Sequence, residues 1–213
     1  MATQVADSQF ADTPLGCHFE LRVPLAKATA KKCRECGASV FAHSRAEVDD
    51  KTLLLILNAT ADTSATLVGP GLMVGSFQAA IAEAAKSNDV AVLNCAGTAL
   101  HDFFPKSRPP MDALRREGRL LDLEWIDADD FEFDVAEVCS AVAWVKDRVV
   151  SGGSVVVNCA QGKSRSGTMA CAYLMASTGL TADEALAKIQ AARPLVQPNV
   201  GFMRQLRKLD GKL

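Results

Sequence analysis

Beyond residue 62 the chain alternates between short apolar runs and longer stretches whose apolar residues recur every three or four positions. Residues 72–74, 90–94 and 120–125 read as strands, and residues 77–85 read as a helix between the first two. Residues 99–111 carry three prolines and no periodicity, which predicts a loop. Asp134-Val135-Ala136-Glu137 has the form of a capping box, with Asp134 as N-cap and Glu137 reaching back. Val135, Val138, Val142, Val145 and Val149 then share one helical face. Ser151-Gly152-Gly153 ends that helix and leads into a β-branched strand running to Cys159. A second capping box, Thr181-Ala182-Asp183-Glu184, opens a helix that stops at Arg193-Pro194. Strands separated by helices imply an α/β fold: a central, mostly parallel sheet flanked by helices.

The pattern changes near Ala61-Asp62-Thr63-Ser64, which divides the chain into residues 1–62 and 63–213. The first part has short apolar runs at residues 19–23, 38–41 and 53–57, so it is expected to be a small β-rich extension. Its Cys33-Arg34-Glu35-Cys36-Gly37 is a tight Cys-x2-Cys turn of the kind found in half of a zinc site. Cys17, His18 and His43 are available to complete four ligands, and the candidate set is Cys17, Cys33, Cys36 and His43 holding a structural zinc ion. Free thiols, a redox pair or a site that has lost its metal remain alternatives.

Composition narrows the class. The 213 residues are 49% hydrophobic and carry a formal net charge of −2, enough apolar content for a substantial core and no basic footprint for nucleic acid. The longest apolar run, Leu53 to Leu57, is strand-sized, so no membrane span is expected. The N-terminus shows neither the n-region nor the h-region of a secretory signal. Seven cysteines without a paired framework fit a reducing compartment, and a cytoplasmic location is expected.

The strongest chemical signal is Asn158-Cys159-Ala160-Gln161-Gly162-Lys163-Ser164-Arg165-Ser166-Gly167. It places a thiol, a short loop and a guanidinium between a strand and a helix N-terminus. Loop N–H groups and the helix dipole favour an anion there, and they depress the pKa of a thiol within the loop. Arg165 can grip two oxygens of a tetrahedral oxyanion through its planar fork. Ser166 is placed to hydrogen-bond the cysteine sulfur.

Cys-x5-Arg followed by Ser is the signature of the cysteine-based phosphatases, and the chain resembles their dual-specificity branch. The resemblance is carried also by Ala172-Tyr173-Leu174-Met175, Ala192-Arg193-Pro194, Pro198-Asn199, Gly201-Phe202, Gln205-Leu206 and the upstream stretch from Gly71 to Ser76. It covers about residues 65–210. It implies the cysteine-phosphatase fold and a phosphoprotein substrate, with no cofactor for catalysis. It further implies that Cys159 is the nucleophile of a phosphocysteine pathway and that residues Ala160, Gln161, Gly162, Lys163 and Ser164 cradle the phosphate. Arg165 would bind the phosphate and Ser166 would assist the leaving thiolate. The general acid should be an aspartate roughly thirty residues upstream. Asp127, at the end of the expected strand, ranks first and Asp129 second. At one position the chain departs from the family: Asn158 stands where a histidine usually precedes the nucleophile. That departure keeps a second function open, a catalytically weak or inactive domain that binds a partner within a protein assembly.

Overall fold

The computed structural model describes residues 63–213, Ala99 excepted. The expected extension over residues 1–62, with its zinc set Cys17, Cys33, Cys36 and His43, lies outside the described residues. The elements in order are β1 (Thr66–Gly69), β2 (Leu72–Ser76), α1 (Phe77–Ala84), β3 (Val90–Asn94) and a short α2 (Leu100–Phe103). After a 3-10 turn over Pro105–Ser107 come α3 (Arg108–Arg116), β4 (Leu120–Asp122), α4 (Val135–Val150) and β5 (Ser154–Cys159). The chain ends with α5 (Arg165–Thr178), α6 (Ala182–Ala192) and α7 (Val200–Lys208).

The five strands form one sheet in the order β1-β2-β5-β3-β4. Only the β1–β2 pair is antiparallel; the others are parallel. β5 is central, and its Val155, Val156 and Val157 are fully buried, the continuous apolar run expected of a strand covered on both faces. One face packs against α4 to α7 through Val138, Val142, Val145, Met169, Leu174 and Phe202. The other packs against α1 and α3 through Ala80, Ala84, Met111 and Leu114. The α/β sheet read from the sequence is therefore the fold of residues 63–213. Because β5 sits between β2 and β3, the connections at its C-terminal end diverge to opposite faces and leave the crevice where α/β sheets bind ligands.

Three local expectations need correction. Residues 99–111 are largely helical, not a loop. Pro109 and Pro110 fall in the first turn of α3, where an amide N–H has no helical partner to lose, and Met111 and Leu114 bury the helix. The strand over residues 120–125 pairs only through Asp122, at the sheet edge, although Leu123 and Trp125 remain buried. Asp134 does cap α4, accepting from the Ala136 N–H at 2.9 Å, but Glu137 does not close a box. It accepts instead from the Trp125 indole N–H at 2.8 Å, a partner available only in the folded chain. The second box is complete: Thr181 accepts from the Glu184 N–H and Glu184 accepts from that of Thr181. In α4 the buried face is Val138, Ala141, Val142 and Val145, while Val135 in the first turn is exposed.

Candidate active site

β5 ends on Cys159, which lies in register with Ser76 at the end of β2. The chain then loops through residues 160–164 and enters α5 at Arg165, so the thiol lies over the N-terminus of a 14-residue helix. The loop can close this tightly only with glycine at 162. Its φ of +71° suits glycine, and a Cβ there would stand 2.6 Å from the Gly75 carbonyl oxygen. Arg193, itself buried, fastens the loop from below. Its Nε donates to the Gly162 carbonyl at 3.2 Å, and its Nη1 reaches the Ser64 carbonyl and Thr66 Oγ1 at 3.2 and 3.0 Å.

Cys159 Sγ and Ser166 Oγ are 3.3 Å apart. Burial is the largest influence on the thiol and pushes its pKa up. The Arg165 guanidinium and the hydrogen bonds of Ser166, side chain and backbone, outweigh it, so the pKa falls below the ordinary value. Asp127 acts against them to a smaller extent. Burial sends the other core thiols the opposite way: Cys171 rises to about 12, and Cys95 rises well above the ordinary value because burial and the repulsion of Cys159 outweigh the pull of Arg165. Of these three buried cysteines only Cys159 has a thiol lowered below the ordinary value.

Arg165 is anchored at one end, donating from Nη1 to the Trp125 carbonyl at 3.1 Å. Its Nε is buried without a hydrogen-bond partner and lies 3.7 Å from Asp127 Oδ2. A buried guanidinium donor left open beside a thiol suits an oxyanion. Asp127 Oδ1 accepts from Ser164 Oγ at 2.7 Å and from Asn199 Nδ2 at 3.0 Å. Asn199 also donates to the Ala128 carbonyl, at 3.3 Å, and caps α7 through the Phe202 N–H at 2.8 Å. Gly201 lets α7 press against the Asp129 carbonyl, where any Cβ would collide. The side chain of Asp129 is exposed. Lys163 is half-buried; burial lowers its pKa, partly offset by attraction to Cys159.

The residues singled out from the sequence thus meet at one point: Cys159, the loop 160–164, Arg165, Ser166 and Asp127. Asp129 is on the adjoining loop with its carboxylate turned to solvent. Two further residues of the site carry little or no signal in the sequence. Trp125 contributes a carbonyl, which sequence reveals in no way. Asn94 contacts Asn158, and its signal was a polar residue ending the apolar run Val90-Ala91-Val92-Leu93. Among the described residues there is no cluster of three or more His, Cys, Asp or Glu side chains suited to a metal ion. No described helix is long and apolar enough to cross a membrane.

A cysteine with a lowered pKa, a tight loop at a helix N-terminus and an arginine at the end of a central parallel strand suit the chemistry of a cysteine-dependent phosphatase. The catalytic-domain model of the dual specificity phosphatases matches residues 72–212. Dual specificity protein phosphatase 1 of Arabidopsis thaliana is 33% identical over 150 residues, covering 70% of this chain and 70% of that protein. Dual specificity protein phosphatase 26 of Bos taurus is 33% identical over 174 residues, covering 80% of this chain and 79% of its own. The crystal structure of human DUSP28 superposes with a TM-score of 0.58 at 26% identity, over 71% of this chain and 95% of that one. The chain belongs to the dual specificity phosphatase family of protein phosphatases.

Proposed function

We propose that residues 63–213 hydrolyse phosphotyrosine, phosphoserine or phosphothreonine esters of proteins through a phosphocysteine. The phosphate sits in the loop 160–164, held by backbone N–H groups and by Arg165. Cys159 Sγ attacks phosphorus; the S–P bond forms as the P–O bond to the protein side chain breaks. The departing oxygen takes a proton from Asp127, whose Oδ2 is free of the hydrogen bonds that occupy Oδ1; Asp129 is the alternative donor. Water then attacks phosphorus, giving its proton to the same carboxylate, and the thiolate leaves toward Ser166. The steps use no cofactor. They require a reduced thiol, which supports a reducing compartment such as the cytoplasm, and the four described cysteines are free.

The observation that carries this proposal is the lowered pKa of a buried Cys159 beside the open Nε of Arg165. Turnover of an aryl phosphate by the full chain tests it, with Cys159→Ser alongside. Wild-type turnover that the variant lacks is expected. Asn158 in the position of the family's histidine favours a second reading, in which the domain binds a phosphorylated partner within an assembly and turns it over slowly or not at all. Equal inertness of wild type and Cys159→Ser, with phosphopeptide affinity retained in both, would decide for that second reading.

A further inference from the structure

Three polar side chains stand abreast where three neighbouring strands end: Asn158 on β5, Asn94 on β3 and Asp122 on β4, with Asn94 in register with both others. Asn94 and Asn158 are fully buried, and the residues two positions before them on the same face, Val92 and Val156, are fully buried and apolar. Buried amides in such a setting persist only when their hydrogen bonds are met. Here those of Asn94 are met in full, and the amide nitrogen of Asn158 is met mainly by Asn94. Asn158 Nδ2 donates to Asn94 Oδ1 at 3.1 Å. Asn94 Nδ2 donates to Asp122 Oδ1 at 2.9 Å and to the Gly97 carbonyl at 3.0 Å, while Asn94 Oδ1 also accepts from the Ala96 N–H at 3.1 Å. Arg115 Nη2 reaches Asp122 Oδ2 at 2.8 Å, so the line ends on α3 at the edge of the sheet.

Asn158 has little else to hold it. Among the described residues its Oδ1 is buried without a partner, and beyond Asn94 its Nδ2 meets only the Cys159 carbonyl, at 3.5 Å. Asn158 immediately precedes the nucleophile, and side chains alternate along a strand. Asn158 therefore points to the α1/α3 face while Cys159 points to the other, toward Ser166. Fastening the first from beneath sets the tilt of the second.

We propose that Asn94, backed by Asp122, is a positioning residue for the nucleophile. The line Asp122–Asn94–Asn158 holds the end of β5 so that Cys159 meets Ser166 and Arg165, doing with neutral amides what an imidazole before the cysteine would otherwise share. The proposal rests on Cys159 being the nucleophile. The charged or titratable groups that face Cys159 are Arg165, Lys163, Asp127 and Cys95. None of them hydrogen-bonds to Asn94, so a change at Asn94 reaches the thiol through position rather than through a lost charge.

The test uses the full chain and the rate of iodoacetamide alkylation of Cys159 against pH, a readout that needs no turnover. Aryl phosphate kinetics accompany it. Asn94→Ala should raise the midpoint of the alkylation profile by about one pH unit and lower kcat about 10-fold, with KM changed by less than about twofold. Asn158→Ala should do the same, and the double variant should be no worse than either single one, because both act through one bond. Asp122→Asn keeps the acceptor oxygen and should retain the wild-type profile, whereas Asp122→Ala should move it part of the way. If Asn94→Ala does not fold, the Asp122 pair carries the test. A folded Asn94→Ala with the wild-type alkylation midpoint, additive effects in the double variant, or equal profiles for Asp122→Ala and Asp122→Asn would overturn the proposal. A wild type without turnover in which Asn94→Ala still shifts the midpoint would leave the positioning role standing and remove the catalytic reading instead.

Discussion

Asp127 and Ser164 are joined by a 2.7 Å hydrogen bond across 37 residues of chain, fastening the loop that leaves the β4 edge to the loop that follows Cys159. Asn199 closes the same junction from the N-terminus of α7, reaching Asp127 Oδ1 at 3.0 Å and, through its own N–H, Ser164 Oγ at 3.2 Å. The candidate acid is therefore held against the loop after Cys159 by groups from two other parts of the chain. That arrangement makes the division of labour between Asp127 and Asp129 measurable.

Asp127→Asn should slow a phosphopeptide, whose leaving group is poor, far more than an activated aryl phosphate. General acid catalysis is worth about 10²–10⁴-fold, and an activated leaving group needs little of it. Steady-state kinetics with both substrates check this. If Asp129→Asn shows the selectivity and Asp127→Asn does not, the acid is Asp129 and Asp127 serves to hold the loop.

Cys159 should be alkylated before Cys95, Cys139 and Cys171 in the folded protein. Its pKa is lowered, so its thiolate persists below the ordinary thiol range and its reactivity is lost only as pH falls through that lowered value. Cys95 and Cys171, with raised pKa values, should stay inert across the same window. Vanadate or phosphate should protect Cys159. Peptide mapping after brief labelling reads the order, and first labelling at Cys139, which is exposed, would count against a poised nucleophile.

Asn158→His should lower the apparent pKa of Cys159 further and raise turnover at neutral pH. An imidazole can keep an N–H for Asn94 Oδ1 and, when protonated, adds positive charge beside the thiolate. The pH dependence of kcat/KM is the measurement. An unchanged profile would mean that the loop N–H groups, Arg165 and Ser166 already set the thiol.

Arg193→Met should destabilise residues 63–213 by roughly 1–3 kcal/mol, because the buried carbonyl of Gly162 loses its donor. For a domain of this size each kcal/mol corresponds to about 2–4 °C in Tm. Thermal unfolding followed by circular dichroism would show it, and a Tm within a degree of wild type would show that the loop does not depend on this anchor.

Elemental analysis tests the zinc expectation for Cys17, Cys33, Cys36 and His43. About one equivalent of zinc per chain is expected in a tetrahedral site, lost on Cys33→Ser/Cys36→Ser. Metal-free protein with all four residues intact would leave these thiols without a metal role.

Most of the strands and the thiol loop were legible in the sequence because each is local. A β-branched run, a glycine-bearing loop and the Cys-x5-Arg spacing fix which residues can meet over about a dozen positions. The Thr181–Glu184 box formed as read, since its partners are three residues apart. What the sequence by itself determined was therefore the α/β alternation, the two helices that follow Cys159 up to Arg193, and the residues around the thiol. Only the tertiary structure decided the partners that come from far away. Asn158 meets Asn94 across 64 residues, and Asp127 meets Asn199 across 72. Glu137 leaves its expected cap for Trp125, because a hydrogen bond to the indole of a buried residue outcompetes one at a solvent-facing helix end. The prolines near residue 109 look like breakers in isolation, yet they begin a helix because Met111 and Leu114 have a sheet face to cover. Local propensity and spacing set the elements; which polar groups meet beneath Cys159 was settled by strand register, which no single stretch of the chain contains.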